Sequence, residues 1–364
     1  MSAGALPSGV PGTFRIHRLA SFFWFLLAAA WFLFARQIAA SAANGLASRD
    51  WNELVSRSIC LFLLLIGYWG MGFAFQYQRT PLKSMGLIRR ATALREFSIG
   101  AALGWGGMVV CVLPIALFGG MTITFWTGPK QFGLLFIDLA TLSVAALAEE
   151  IAFRGYPFQR LIEATGPTLA TLIMSATFGL VHLGNPDSTL ASTVVTVLAG
   201  WLFALAYLRT RALWLPWGLH FAWNVSMGLL FGLPVSGLRN FSPVISTNVR
   251  GPLWLTGDGY GPEGSLITIF VLLGSIAVLM WATRDYAYEY TQPVIIPGGI
   301  PVDIDAAAKR QHEEAMASPA EIVASKLVQI LPSGSVVSPV SESAPMASDL
   351  HSDDSQDPGH SFGS

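Results

Sequence analysis

The sequence predicts an all-α, polytopic integral membrane protein, with about eight transmembrane helices around an intramembrane polar site and a disordered C-terminal tail. Three observations lead there. Of 364 residues, 53% are hydrophobic and only 12% are charged, against roughly a quarter charged in soluble domains. The apolar residues fall in discrete blocks, each long enough to cross a ~30 Å hydrocarbon core at ~1.5 Å rise per residue. The third is the stretch Ala146-Leu147-Ala148-Glu149-Glu150-Ile151-Ala152-Phe153-Arg154-Gly155, where adjacent carboxylates close an apolar block. An ionised carboxylate in a membrane helix costs at least ~2.5 kcal/mol, so chains that keep one aim it at a polar cavity and give it partners.

In chain order, residues 1–14 are rich in Gly, Pro and Ser and are expected to be disordered. Arg15, His17 and Arg18 precede the first apolar block, 19–40. Ala40-Ser41-Ala42 resembles a signal-peptidase site, but Arg36 and Gln37 interrupt the approach to it and further spans follow, which favours a retained helix. The remaining spans are expected at 58–76, 97–119, 132–150 (continuing as helix beyond), 168–185, 190–208, 213–233 and 265–283. Pro186 enforces a short turn between the fifth and sixth.

Arg79, Lys83, Arg89, Arg90 and Arg95 crowd the connection between the second and third spans. By the positive-inside rule this places both termini in the cytoplasm, with the plasma (inner) membrane as the expected location. The transmembrane domain then covers 15–285. The segment 286–364, broken by Pro293, Pro297 and Pro301 and ending Ser/Pro/Asp-rich, reads as a largely disordered cytoplasmic tail. Cys60 and Cys111 both sit in apolar blocks and read as buried free thiols. A net charge of −1 and the lack of a basic stretch interleaved with aromatics leave no footprint for nucleic acid. The lipid bilayer is the partner the composition does imply.

The carboxylates need intramembrane partners, and the spans hold two histidines. His182 closes Phe178-Gly179-Leu180-Val181-His182, and His220 opens His220-Phe221-Ala222-Trp223-Asn224, where His and Asn share a helix face. Glu150 precedes Gly166 by sixteen residues (166 − 150) and His182 follows it by sixteen (182 − 166). In an antiparallel hairpin turning at Gly166-Pro167, both would lie about 24 Å from the turn, beneath a cytoplasmic opening. Arg154, four residues after Glu150, has the favourable order for a helical ion pair and is expected to keep that carboxylate ionised. Phe178, one turn before His182, is expected to pack on the imidazole; Phe153 and Trp223 read as core, and Asp138 as interfacial.

Glu-Glu-x-x-x-Arg, Phe-x-x-x-His and His-x-x-x-Asn on successive apolar helices resemble the motifs of the CPBP intramembrane proteases, the family of CAAX prenyl endopeptidases and Abi bacteriocin-processing proteins. The resemblance runs from about Asp138 to Leu230. It implies an intramembrane endopeptidase acting on a membrane-associated or lipid-modified peptide or protein. Glu149 or Glu150 with His182 would activate water, and His220 with Asn224 would donate to the oxyanion. Glu149 is the preferred base, but neighbours on a helix face about 100° apart, and Glu150 stays open. Glu149, His182 and His220 are also a candidate Zn²⁺ ligand set with one position left for water; the asparagine suits a metal-free oxyanion site better. Two other classes compete. A proton-coupled transporter also uses Glu/His clusters, though no inverted repeat is evident. A non-catalytic scaffold or immunity protein would be expected to have lost one of Glu149, His182 or His220, and all three are present.

Overall fold

The computed structural model describes residues 11–75, 81–87, 89–241 and 243–284. Within them the chain is mostly helical. The long elements are α1 (Pro11–Leu46), α2 (Asn52–Gly70), α4 (Ala93–Phe118), α5 (Pro129–Arg154), α6 (Tyr156–Thr165), α7 (Pro167–His182), α8 (Leu190–Thr210), α9 (Trp214–Val225) and α11 (Leu266–Ala282). Two four-residue helices, α3 (Pro81–Ser84) and α10 (Leu253–Thr256), lie between them, and π turns at Met71–Phe75 and Ser226–Leu230 prolong α2 and α9.

Each expected span overlaps a helix among the described residues. Five stretches are long and apolar enough to cross a membrane: Arg18–Leu46, Asn52–Ala74, Ala93–Phe118, Pro129–Thr165 and Leu190–Thr210. The apolar helices α7 and α11 are shorter. The chain is thus an integral membrane protein by the apolar length of its helices. α1 opens at Pro11, inside the 1–14 segment expected to be irregular. The expectations for residues 1–10 and for the tail 286–364 lie outside the described residues.

The all-α expectation needs one correction. Gly120–Phe125 and Ile245–Arg250 form an antiparallel ribbon, β1 and β2, with Ile123 opposite Thr247 and Met121 opposite Val249. Both segments are rich in β-branched residues, which favour a pleated backbone. The partners are too far apart in sequence for a hairpin signal.

The fourth span, expected to continue as helix beyond Glu150, does so to Arg154, where it breaks, and a separate helix starts at Tyr156. A Cβ at Gly155 would lie 2.4 Å from the Ile151 carbonyl oxygen, and Pro157 has no N–H to continue the ladder. The turn into α7 is made by Gly166 at φ 87°, a left-handed value that only glycine adopts freely. The Gly166 hairpin is therefore α6–α7, and α5 packs instead on α2 and α9.

Helices α4 and α9 meet through small residues, as membrane helices often do. A Cβ on Gly100 or Gly104 would come within 2.1 and 2.2 Å of the carbonyl oxygens of Leu215 and Leu219, and one on Gly218 within 2.2 Å of that of Phe97. Trp217 Nε1 donates to the Ser143 carbonyl at 3.1 Å and ties α9 to α5. Backbone sits against backbone, so no rotamer change makes room. Gly104→Val is expected to destabilise the protein by about 1–3 kcal/mol through overpacking, read as a lower melting temperature in detergent.

Candidate active site

Three helices bring the polar residues to one place. α5 carries Glu149 and Glu150 in its last turns, α7 ends on His182, and α9 carries His220 and Asn224 one turn apart. Glu149, His182, His220 and Asn224 line a common cavity of about 120 Å³. Glu150 does not line it.

The two glutamates differ because helix α5 points them to different sides. Glu149 keeps 24% of its side-chain surface exposed, with Oε1 3.8 Å from Arg57 Nη1 and Oε2 3.8 Å from His220 Nε2. Glu150 is fully buried. A single oxygen, Oε1, accepts from Arg154 Nη1 at 3.2 Å and from His220 Nδ1 at 2.8 Å. The His220 ring is thereby fixed, with Nε2 turned toward Glu149.

Arg154 is as buried as its partner, at 1% exposure. Its Nη2 donates to the Gly200 carbonyl on α8 at 2.9 Å. Its guanidinium carbon lies 4.6 Å from the ring centre of Phe178 and 5.0 Å from that of Phe203. Phe203 stacks on His220 at 4.7 Å with the rings 17° apart. Phe178 lies 4.5 Å from the His182 ring. Two phenylalanines thus cover the buried ion pair and hold both imidazoles.

At the end of α7, His182 Nδ1 lies 2.7 Å from the Phe178 carbonyl oxygen. A carbonyl only accepts, so Nδ1 carries the proton and Nε2 of the neutral ring keeps its lone pair. The Asn224 side chain makes no hydrogen bond to the described residues, which leaves its amide available to a ligand.

The surroundings of the cavity include residues that sequence reasoning missed. Arg36 from α1 and Arg57 and Cys60 from α2 line one wall, and Phe203 from α8 lines another. Ser236, Leu238, Phe241 and Glu263, from the connection between α9 and α11, line the cavity as well. Asn185, just beyond His182, donates to the Ser236 carbonyl at 3.0 Å. This places the α9–α11 connection at the end of the bundle opposite the Gly166 turn.

Glu263 latches that connection. It accepts from Trp223 Nε1 at 2.9 Å through one oxygen and from Ser236 Oγ at 2.6 Å through the other. Nearby, burial raises the Tyr260 phenol to about 12, with the Glu263 carboxylate adding to the rise. Tyr260 therefore stays neutral at any physiological pH and serves as a packing residue with a hydrogen-bonding tip. Trp223, expected in the core, is buried there with its indole N–H engaged. Glu263→Gln keeps a neutral oxygen acceptor at one of the two bonds and puts an NH2 donor in place of the other acceptor. It is expected to loosen the connection by about 1–2 kcal/mol, seen as faster proteolytic nicking between Leu233 and Glu263.

Zinc fits poorly here. Among the described residues no three His, Cys, Asp or Glu side chains are gathered as a metal-holding group, and the candidate set Glu149, His182 and His220 is included in that statement. No step below is routed through a metal.

Comparison with known proteins agrees with the geometry. Residues 131–226 match the family described as type II CAAX prenyl endopeptidase Rce1-like. A 107-residue stretch is 33% identical to the Bacillus subtilis (strain 168) protein named "Putative membrane peptidase YdiL", covering 29% of this chain and 41% of that relative. The chain thus spans less than half the length of the curated relative it matches. No solved structure matches it. The matched segment contains Glu149, Glu150, His182, His220 and Asn224, and it ends just past Asn224. Over residues 131–226 the chain is thus similar to the CPBP/CAAX family of membrane proteases.

Proposed function

We propose that the protein is an intramembrane endopeptidase that hydrolyses a membrane-associated or lipid-modified peptide by direct water attack. The observation that carries this reading is the convergence of Glu149, His182, His220 and Asn224 from three helices on one small cavity. Water sits between the Glu149 carboxylate and the His182 Nε2 lone pair. Glu149 takes one proton from it as the water oxygen bonds to the substrate carbonyl carbon, and the carbonyl π electrons move onto oxygen. The Asn224 amide and His220 Nε2–H, when that ring is doubly protonated, donate to this oxyanion. The C–N bond then breaks and Glu149 returns its proton to the leaving amine.

Glu150 has a supporting role in this scheme. It orients His220 through a hydrogen bond, while Arg154 pairs with the same Glu150 oxygen in a buried setting. The same reading takes α7, α9 with its π turn, and α11 as three further crossings, which gives eight. It also keeps the plasma membrane as the location and both termini cytoplasmic.

The test is hydrolysis of a quenched-fluorescent peptide library by the detergent-purified protein, with and without a zinc chelator. Turnover is expected, and it should survive chelation with no zinc retained by mass spectrometry. His182→Ala should lose about 10²–10⁴-fold in kcat. Turnover abolished by the chelator and restored by zinc would contradict the metal-free step.

A further inference from the structure

A second cavity, of about 500 Å³, lies between α1 and α2, lined by Leu33, Arg36, Gln37, Ala40, Glu53, Ser56, Arg57 and Cys60. Arg36, Arg57 and Cys60 also line the cavity that holds Glu149, so the two spaces share a wall of two arginines and a thiol. From this juxtaposition we propose that Arg36 and Arg57 form a specificity site that receives a carboxylate of the peptide substrate, next to the residues that cut it.

The charges in the crevice support this assignment. Glu53 is taken by Arg57 Nε at 2.8 Å. Glu149 stands 3.8 Å from Arg57 Nη1 and faces His220 with its other oxygen. Arg36 has no carboxylate within salt-bridge distance among the described residues; its guanidinium carbon is 5.7 Å from the Phe32 ring centre. An arginine within an apolar span is costly to leave without a counter-charge. Moreover, once Glu149 has taken the proton from water, the crevice carries one positive charge in excess. A planar guanidinium fork with free donors matches a carboxylate in shape and charge. In the sequence alone, Arg36 and Arg57 count only as charges outside the polar site.

The inference rests on the peptidase reading for the nature of the ligand, and its test separates the two. A dansylated apolar hexapeptide is prepared as the free acid, as the C-terminal amide, and as the amide with one internal aspartate. Binding to the full-length protein in uncharged detergent is followed by fluorescence anisotropy, and cleavage of the same mixtures by mass spectrometry. The free acid is expected to bind about tenfold or more tightly than the amide, the scale of a charge-assisted pair. Arg36→Gln should remove this preference by weakening the acid alone, and Arg36→Lys, which keeps the charge, should retain part of it. If the internal aspartate restores binding to the amide, the carboxylate is read wherever the peptide carries it; if not, the site reads the chain terminus, and both results support the proposal. Equal binding of acid and amide by the wild type, or an acid preference undiminished in Arg36→Gln, would overturn it. An acid preference without cleavage of any peptide would uphold the carboxylate site and count against the peptidase reading alone.

Discussion

Replacing Glu149 by alanine is expected to lower peptide turnover about 10²–10⁴-fold, the usual worth of a positioned general base, and to leave the melting temperature near that of the wild type. Both halves follow from its position. Glu149 lines the cavity and is partly exposed, and its contacts with Arg57 and His220 are both long, at 3.8 Å. Little packing is lost with the side chain, while the atom that takes the proton from water is gone. Glu150→Gln should behave in the opposite way. That carboxylate is fully buried and holds Arg154 and His220 together through one oxygen. Its neutral substitute leaves the guanidinium without a counter-charge, so stability should fall first, and activity through the misplaced His220. A Glu149→Ala variant that melts far below the wild type would mean that Glu149 belongs to the buried network instead.

Arg154→Met carries the largest expected cost in stability, about 3–5 kcal/mol, because it leaves the buried Glu150 charge with only a histidine beside it. The arginine also bridges α5 to the Gly200 carbonyl of α8 and lies over Phe178 and Phe203. Arg154→Lys should recover only part of the loss, since an ammonium cannot reach Glu150 and Gly200 at once or stack on the rings. The double variant Arg154→Met, Glu150→Met should melt above Arg154→Met alone, because the uncompensated charge is gone. It should remain inactive, since the hydrogen bond that fixes His220 Nδ1 is gone. Thermal melts of the four proteins in one detergent decide the matter. An Arg154→Met protein as stable as the wild type would show that the ion pair contributes nothing.

These expectations mark where the sequence was legible. Helix positions could be read because soluble folds rarely carry repeated apolar blocks of membrane-crossing length. His182, His220 and the Glu-Glu pair stood out because titratable groups are rare in such blocks. Which glutamate faces the cavity could not be read. α5 is apolar on nearly all sides, so no polar stripe tells one face from another. The helix break at Gly155 has a local cause, in Gly155 and Pro157, and was open to detection. The ribbon of Gly120–Phe125 with Ile245–Arg250 was not, since its two strands lie on different connections. Arg36, Arg57 and Glu263 reach the cavity from elements far apart in sequence, and only packing brings them together. Phe203 was invisible for another reason: an aromatic in an apolar helix looks like core, whether or not it stacks on a working histidine.

The central claim is that Glu149 activates water for peptide hydrolysis, and one measurement tests it most directly. Wild type and Glu149→Ala, purified in parallel and matched by melting temperature, are incubated with the same peptide library, and products are identified by mass spectrometry. The account predicts defined cleavage products with the wild type and their loss, by a factor of about 10² or more, with Glu149→Ala. Equal yields of the same products from both proteins would contradict it.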